Sequence, residues 1–368
     1  MKPYPVIVIG GTGVFGRYIV EGLLDSGAPF QVTAAARNRA AFDRHFPQAS
    51  SRLDFAPVDI GNRNSVEAAL AGKELVILAA GPFQELPATV AEVAAERGLH
   101  YLDIGDDPAY AAKLADLKPV FQAAGKLCLT GLSSLPGISL PLAASIADRF
   151  DRIEKISIGL FIGNKNQKGP GAVMSAIGNL GRPVTVIRRG VRAEVPAWSE
   201  GEKFPYPAPI GPVPSYSFNS PDPMVFPDYF PCAELSVKVG FEWALARLSF
   251  SIFKFLVRRG AQRLVQATTK LLFPCFALMH YFGSERGAVS VVLTGSKGSR
   301  SIRFRASLWG QERSQRMAAM PCVVAAEALV AGECNPSAVS DLLGWLPPAS
   351  FLDRLAAKGF EVEVEELS

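Results

Sequence analysis

Short apolar runs alternate with amphipathic stretches over the first 130 residues. Tyr4–Ile9 is an apolar run that ends in glycines, and Val14–Leu24 then carries Val14, Ile19, Val20, Leu23 and Leu24 at near-helical spacing before Gly27 closes it. Phe30–Ala36 reads as a second strand, Arg39–Phe46 as a helix and Leu53–Val58 as a third strand. Asn64 followed by Glu67 has the spacing of a capping box and predicts a helix ending near Gly72. Glu74–Ala80, Pro87–Arg97, His100–Ile104, Ala109–Ala124 and Lys126–Thr130 continue as strand, helix, strand, helix, strand. Strands this apolar, alternating with helices, argue an α/β domain whose parallel sheet is covered on both faces.

Beyond Thr130 the pattern changes. Ile153–Ile162, Val184–Ala193, Ala288–Leu293 and Ser301–Leu308 read as strands, several alternating polar with apolar residues as in an antiparallel sheet with one solvated face. Phe204–Pro231 is crowded with proline and aromatic residues, which exclude a long helix; it reads as a loop covering the sheet or as a lid over a substrate cleft. Phe241–Phe282 is helical in pattern and very apolar. Its longest stretch without Lys, Arg, Asp or Glu, Leu271–Ser284, is shorter than the roughly 18 residues of a membrane span, and Pro274 interrupts it. With Arg247, Lys254, Arg258, Arg259 and Arg263 it fits a dimer interface or internal core, or else peripheral membrane contact or the cover of an apolar substrate.

Composition narrows the functional classes. A chain of 368 residues, 49% hydrophobic and 20% charged, buries a sizeable core and has room for two domains. Its 38 basic and 34 acidic residues are scattered, without the basic block of a nucleic-acid-binding arm, so no nucleic-acid partner is expected. The opening "MKPYPVIVIGG" passes directly into a strand, with no secretory signal pattern. Cys128, Cys232, Cys275, Cys322 and Cys334 are far apart, odd in number and not in CxxC pairs, so neither a disulfide framework nor a metal site is expected; a cytoplasmic location fits. No Ser-His-Asp order, metal-ligand spacing or P-loop lysine supports hydrolysis, metal catalysis or phosphoryl transfer.

Chemistry concentrates at the predicted strand ends of the first domain. "GGTGVFG" (Gly10, Gly11, Thr12, Gly13, Val14, Phe15, Gly16) satisfies GxGxxG between a strand and a helix. There, glycines permit a tight turn and close approach to a pyrophosphate, and a helix N-terminus offers free N–H groups. At the end of the second strand, where an acidic residue would bind the ribose 2′-hydroxyl of NAD, the chain has Arg37, Asn38 and Arg39 and no acid before Asp43. A guanidinium there suits a 2′-phosphate, so NADP(H) is the expected cofactor; the other reading of Arg37 is a solvated loop arginine. Asp59, beside Ile60, is a candidate acceptor for an adenine amino group or a turn residue. Ala80, Gly81, Pro82 and Phe83, after the fourth strand, border the nicotinamide side or make a plain turn.

The stretches "VIGGTGVFGRYIVEGLL", "AARN", "ILAAGPF" and "HYLDIGDDPAY" together resemble the saccharopine dehydrogenase-like oxidoreductases. The resemblance continues through "GLSSLPGIS", "FNSPDPMVFPDYFP" and "AAEALVAGE". It implies a Rossmann doubly wound parallel sheet over residues 1–131, an inserted α+β substrate and dimerisation domain over 132–310, and a helical return onto the first domain over 311–368. It also implies a homodimer and hydride transfer between NADPH and an imine formed from an amine and a 2-oxo acid.

Reduction of such a bond usually needs a proton donor beside the nicotinamide. Tyr101, Asp103 and Asp106 follow a strand end on that side, and Tyr101 and Asp103 share one strand face. Asp106 or Asp107 also suits the cap of the next helix. Ser133 and Ser134 would border a small-molecule substrate, and His100 is either a base or a hydrogen-bonded structural residue. The apolar middle of the chain opens two alternatives: reduction of an apolar or lipid-like carbonyl, or NADP(H) sensing without catalysis.

Overall fold

The computed structural model describes residues 2–48, 50–166, 182–243, 251–253, 255–256, 259, 282–335 and 338–368. The chain divides into two compact units, Met1–Gly137 with Arg316–Lys358, and Ile138–Gln315 with Gly359–Ser368. The segment Phe241–Phe282 falls largely outside the described residues, with Arg247, Lys254, Arg258, Arg263, Cys275 and His280. Among those described, no helix is long and apolar enough to cross a membrane.

The first unit is a six-stranded parallel sheet built from β1 (Tyr4–Ile9), β2 (Phe30–Ala36), β3 (Leu53–Pro57), β4 (Leu75–Leu78), β5 (His100–Asp103) and β6 (Cys128–Leu129). Their order, β3-β2-β1-β4-β5-β6, reverses between β1 and β4. Val6–Ile9 and Leu75–Leu78 are fully buried, as central parallel strands with helices on both faces require. The crossovers include α1 (Val14–Asp25), α2 (Arg39–His45), α3 (Arg63–Leu70) and α4 (Thr89–Glu96). The α1 helix buries Ile19, Val20 and Leu23. Its Gly22 leaves room for the helix Met320–Val330: a Cβ there would lie 2.9 Å from Val323 and 3.2 Å from Met320. That second helix is apolar except for Glu327, which pairs with Lys358, and eight of its residues are buried.

Three local expectations change. The cap of α3 is Asn62, whose side chain accepts from the Ser65 amide, so Asn64 lies inside the helix. The single helix expected over Ala109–Ala124 is divided into α5 (Pro108–Lys113), a 3-10 turn over Ala115–Leu117, and α6 (Lys118–Ala123). Pro119 has no N–H to donate and restricts Lys118, so one continuous helix cannot pass through it. The tail also differs from a wholly helical return, because Gly359–Ser368 belongs to the second unit.

The second unit is a nine-stranded mixed sheet. Its main path is β10 (Glu202–Pro205), β11 (Pro212–Ser217), β12 (Glu234–Phe241), β7 (Arg152–Ile162), β13 (Gly287–Lys297), β14 (Arg300–Gly310) and β15 (Glu361–Glu366). The helix α7 (Ser139–Ala147) packs on β13 and β14. Its first residue, Ser139, donates to the buried Asp222 carboxylate, which also accepts from Ser220. The expected strand Val184–Ala193 is instead a hairpin of β8 (Pro183–Arg188) and β9 (Val191–Pro196). Its two-residue turn has positive φ at Arg189 (51°) and Gly190 (75°), the backbone of a primed hairpin turn.

The aromatic stretch after β9 belongs to this sheet and covers it. Phe204 and Tyr206 are buried with Phe161, Ala288, Val292 and Trp309. Gly159 makes the packing possible, since a Cβ there would come within 2.5 Å of the Phe204 ring. Arg305 is buried beside them and donates to the carbonyls of Pro205 (3.2 Å) and Tyr206 (3.0 Å) and to Glu363 and Glu365 of β15. Phe204 and Tyr206 at the start of this stretch are therefore part of the packed sheet.

Candidate functional site at the carboxyl edge of the parallel sheet

The reversal between β1 and β4 opens a crevice at the carboxyl ends of the strands, the usual place for a dinucleotide in such sheets. The glycine-rich turn closes against it. Gly10 has φ +85°, and a Cβ there would lie 2.6 Å from the Ala80 nitrogen, so the turn after β1 approaches the end of β4 as only glycine permits. At Gly16 a Cβ would come within 2.1 Å of the Gly10 carbonyl oxygen, which fixes α1 close to its strand. Gly11 packs against Ala34 in the same way.

Gly13 is the N-cap of α1, and neither a side-chain cap nor an acidic residue occupies the first turn. Its amides lack intrahelical acceptors and remain available to an anion, with the positive end of the helix dipole behind them. Gly13 is exposed, and Thr12, Val14 and Phe15 are half-buried beside it. The turn and the helix start thus present backbone N–H groups without a side-chain cap.

Arg37, Asn38 and Arg39 follow β2, and all three are exposed. Their tasks differ. Asn38 caps α2 by accepting from the Ala40 amide at 2.8 Å. Arg39 pairs with Asp43 at 3.4 Å and lies 5.6 Å from the centre of the Phe55 ring. Arg37 has no ion pair or hydrogen-bond partner for its side chain among the described residues, so its guanidinium is uncommitted. Asp59 is exposed; its Oδ1 accepts from the Gly61 amide at 3.0 Å, which makes it a turn residue with one carboxylate oxygen to spare, and Ile60 beside it is half-buried.

After β4, Ala80 is half-buried, Gly81 and Pro82 are exposed, and Phe83 turns inward. The Phe83 ring packs edge-on against Tyr110 at 5.1 Å. The Tyr110 hydroxyl is 2.8 Å from that of Tyr101, which has no exposed surface. Burial, then the charge of Asp103, raise the Tyr101 hydroxyl well above its ordinary value. Tyr101 is therefore placed inside the sheet, with its proton held.

Asp103 is also fully buried. Its Oδ1 accepts from the Gly105 amide (2.7 Å), the Thr130 hydroxyl (2.9 Å) and the Gly131 amide (3.0 Å). One carboxylate oxygen thus ties the loop after β5 to the loop after β6, the stretch that continues into the half-buried Ser133 and Ser134. Burial raises the Asp103 carboxyl to about 6, against the opposing pull of these donors. The sequence reading missed Thr130, Gly131 and Tyr110 as partners of this carboxyl and of Tyr101. Thr130 and Gly131 lie 27 and 28 positions away, beyond any local pattern.

Asp106 is separated from these two. It is exposed, while the adjacent Asp107 caps α5 by accepting from the Tyr110 amide at 2.9 Å. Although Asp106 reaches solvent, protein packed behind its carboxyl strips part of its hydration and raises its affinity for a proton, and the Asp107 charge adds to this. His100 accepts from the Leu127 amide at 3.0 Å through Nδ1, and burial lowers it to about 4, so it is a neutral structural residue. Among the described residues no group of three or more His, Cys, Asp or Glu is arranged to hold a metal.

This geometry agrees with comparison to known proteins. Residues 6–129 match the family described as the saccharopine dehydrogenase NADP binding domain. The match covers the parallel-sheet part of the first unit. A saccharopine dehydrogenase-type domain binds a nicotinamide dinucleotide, and the glycine cradle, open α1 N-terminus and uncommitted Arg37 fit one.

Whole-chain likeness extends to solved structures of the same fold. Apo histidine-tagged saccharopine dehydrogenase (L-Glu forming) from Saccharomyces cerevisiae is 13% identical, with a TM-score of 0.67 over 99% of this chain and 100% of that one. The homospermidine synthase of Legionella pneumophila, solved in complex with NAD, is 10% identical, with a TM-score of 0.63 over 100% of this chain and 92% of that one. At these identities the likeness establishes the α/β fold. The family and fold together support an NAD(P)-dependent oxidoreductase.

Proposed function

We propose that the chain is an NADP(H)-dependent oxidoreductase that reduces the C=N or C=O of a small-molecule substrate, or runs the reverse oxidation. The observation that carries the cofactor choice is Arg37: an exposed, uncommitted guanidinium directly after β2, with no acid before Asp43. Such a fork suits the 2′-phosphate of NADP(H), whereas an acidic residue would suit the 2′-hydroxyl of NAD(H). When bound, the dinucleotide supplies the hydride.

In this reading the three acidic and phenolic candidates divide their labour. Tyr101 and Asp103 are internal positioning residues: Asp103 ties the loop after β5 to the loop after β6, and Tyr101 hydrogen-bonds to Tyr110 of α5. Asp106 is the candidate proton donor, because its carboxyl meets solvent at the carboxyl end of β5, and packing behind it raises its affinity for a proton. Family resemblance points to an imine of an amine and a 2-oxo acid, with an apolar carbonyl as the enzymatic alternative. A homodimer is part of the proposal, and sedimentation velocity reads it directly.

The burial of Tyr101 and Asp103 favours one other reading, a non-catalytic NADP(H) sensor. Loss of NADPH absorbance across a panel of imines and apolar ketones, with wild type and Asp106→Asn, separates the two. Turnover that Asp106→Asn reduces by about 100-fold or more, the scale of a lost acid–base group, supports the enzyme. Tight NADPH binding without turnover of any substrate supports the sensor.

A further inference from the structure

The second unit holds a cleft that the oxidoreductase reading does not use. It has a volume of about 580 Å³ and lies where the tip of the β8–β9 hairpin meets the start of β7 and the chain entering β12. Arg152, Arg189 and Arg192 stand around it, and no acidic residue lines it. None of these three guanidiniums has an ion pair or side-chain hydrogen bond among the described residues. The adjacent Arg188, by contrast, is neutralised by Glu200 at 2.7 Å.

The wall between the arginines is part polar and part apolar, its apolar part coming from Ile153, Pro227 and Pro231, with Ile187 buried behind them. The frame is pinned by backbone: the Gly190 amide donates to the Ala233 carbonyl at 2.9 Å, and the Ala233 amide donates to the Glu154 carbonyl at 3.0 Å. Arg189 itself has φ 51°, a left-handed conformation that costs a long side chain about 1 kcal/mol and that Asn or Gly would adopt more readily.

We infer that this cleft binds a small amphiphilic anion, a single carboxylate or phosphate head on an apolar chain. Three uncommitted guanidiniums with no acid between them provide forked donors for such a head, and the isoleucine and proline wall takes the chain. This site lies wholly within the second unit and stands independently of the nucleotide proposal.

Isothermal titration calorimetry of the full chain tests it, with octyl phosphate, octanoate, inorganic phosphate and octanol as probes. Octyl phosphate or octanoate should bind at least about tenfold more tightly than inorganic phosphate and than octanol, and the preferred head identifies which acid the site takes. The double variant Arg189→Ala/Arg192→Ala should weaken that binding about tenfold or more while leaving the melting temperature and NADPH affinity unchanged. Equal affinity for octyl phosphate and inorganic phosphate, absence of binding by both amphiphiles, or binding unaffected by the double variant would overturn the inference.

Discussion

Replacing Asp103 by asparagine and by alanine separates its charge from its role as an acceptor. The carboxyl rises from its ordinary 3.8 to about 6 because it is buried, while the Gly131 and Gly105 amides and the Thr130 hydroxyl oppose the rise. Its second oxygen, Oδ2, is buried without a hydrogen-bond partner. A carboxyl whose folded value exceeds its unfolded value contributes stability that is present below the unfolded value and lost as pH rises through the folded one. The interval from 3.8 to about 6 corresponds to about 3 kcal/mol in all, of which about 2 kcal/mol lies between about pH 4.5 and about pH 8.

Asparagine keeps an acceptor oxygen for the three donors and carries no charge. Its stability relative to wild type should therefore improve by about 2 kcal/mol on going from about pH 4.5 to about pH 8. Alanine leaves two buried amides and a hydroxyl without their acceptor, at about 1–3 kcal/mol each, and should be the less stable variant at both pH values. Urea unfolding of the three proteins, followed by fluorescence and circular dichroism, reads both effects. A wild-type-to-asparagine difference that stays constant with pH, or asparagine as damaging as alanine, would refute the reasoning.

Two further substitutions test the frame around each unit's core. Gly16→Ala places a Cβ 2.1 Å from the Gly10 carbonyl oxygen, so it should cost about 1–3 kcal/mol of stability and reduce NADPH affinity more than about tenfold; thermal melts and fluorescence titration check it. Arg305→Ala removes the donor shared by Pro205, Tyr206, Glu363 and Glu365. Because the two glutamates regain water, the expected loss is about 2–3 kcal/mol, below that for a fully buried pair, and is read from urea unfolding with Arg305→Lys as the partial rescue.

What the sequence made legible was local. The first domain follows from apolar runs set between amphipathic stretches, and the glycines of residues 10–16 announce their crevice because strand, turn and helix adjoin in the chain. Asp103 shows the limit: its residue type and strand face were evident, but the donors that make it an internal clamp come from the loop after β6. The β8–β9 hairpin was hidden for a different reason. Its turn is Arg-Gly in place of Asn-Gly or Asp-Gly, so the apolar alternation appeared to run through it. The tail "EVEVEE" alternates with period two, yet its identity as β15 depends on pairing with β14 and on Arg305, some sixty positions earlier.

The central claim is that Arg37 selects the cofactor. Its most direct test is fluorescence titration of wild type and Arg37→Ala with NADPH and NADH, since the substitution removes an exposed side chain and leaves the glycine cradle intact. The account predicts that wild type binds NADPH more tightly than NADH, and that Arg37→Ala weakens NADPH about tenfold or more, the scale of one charge-assisted contact, while NADH changes little. Equal affinity of wild type for the two nucleotides, unaffected by the substitution, would contradict it.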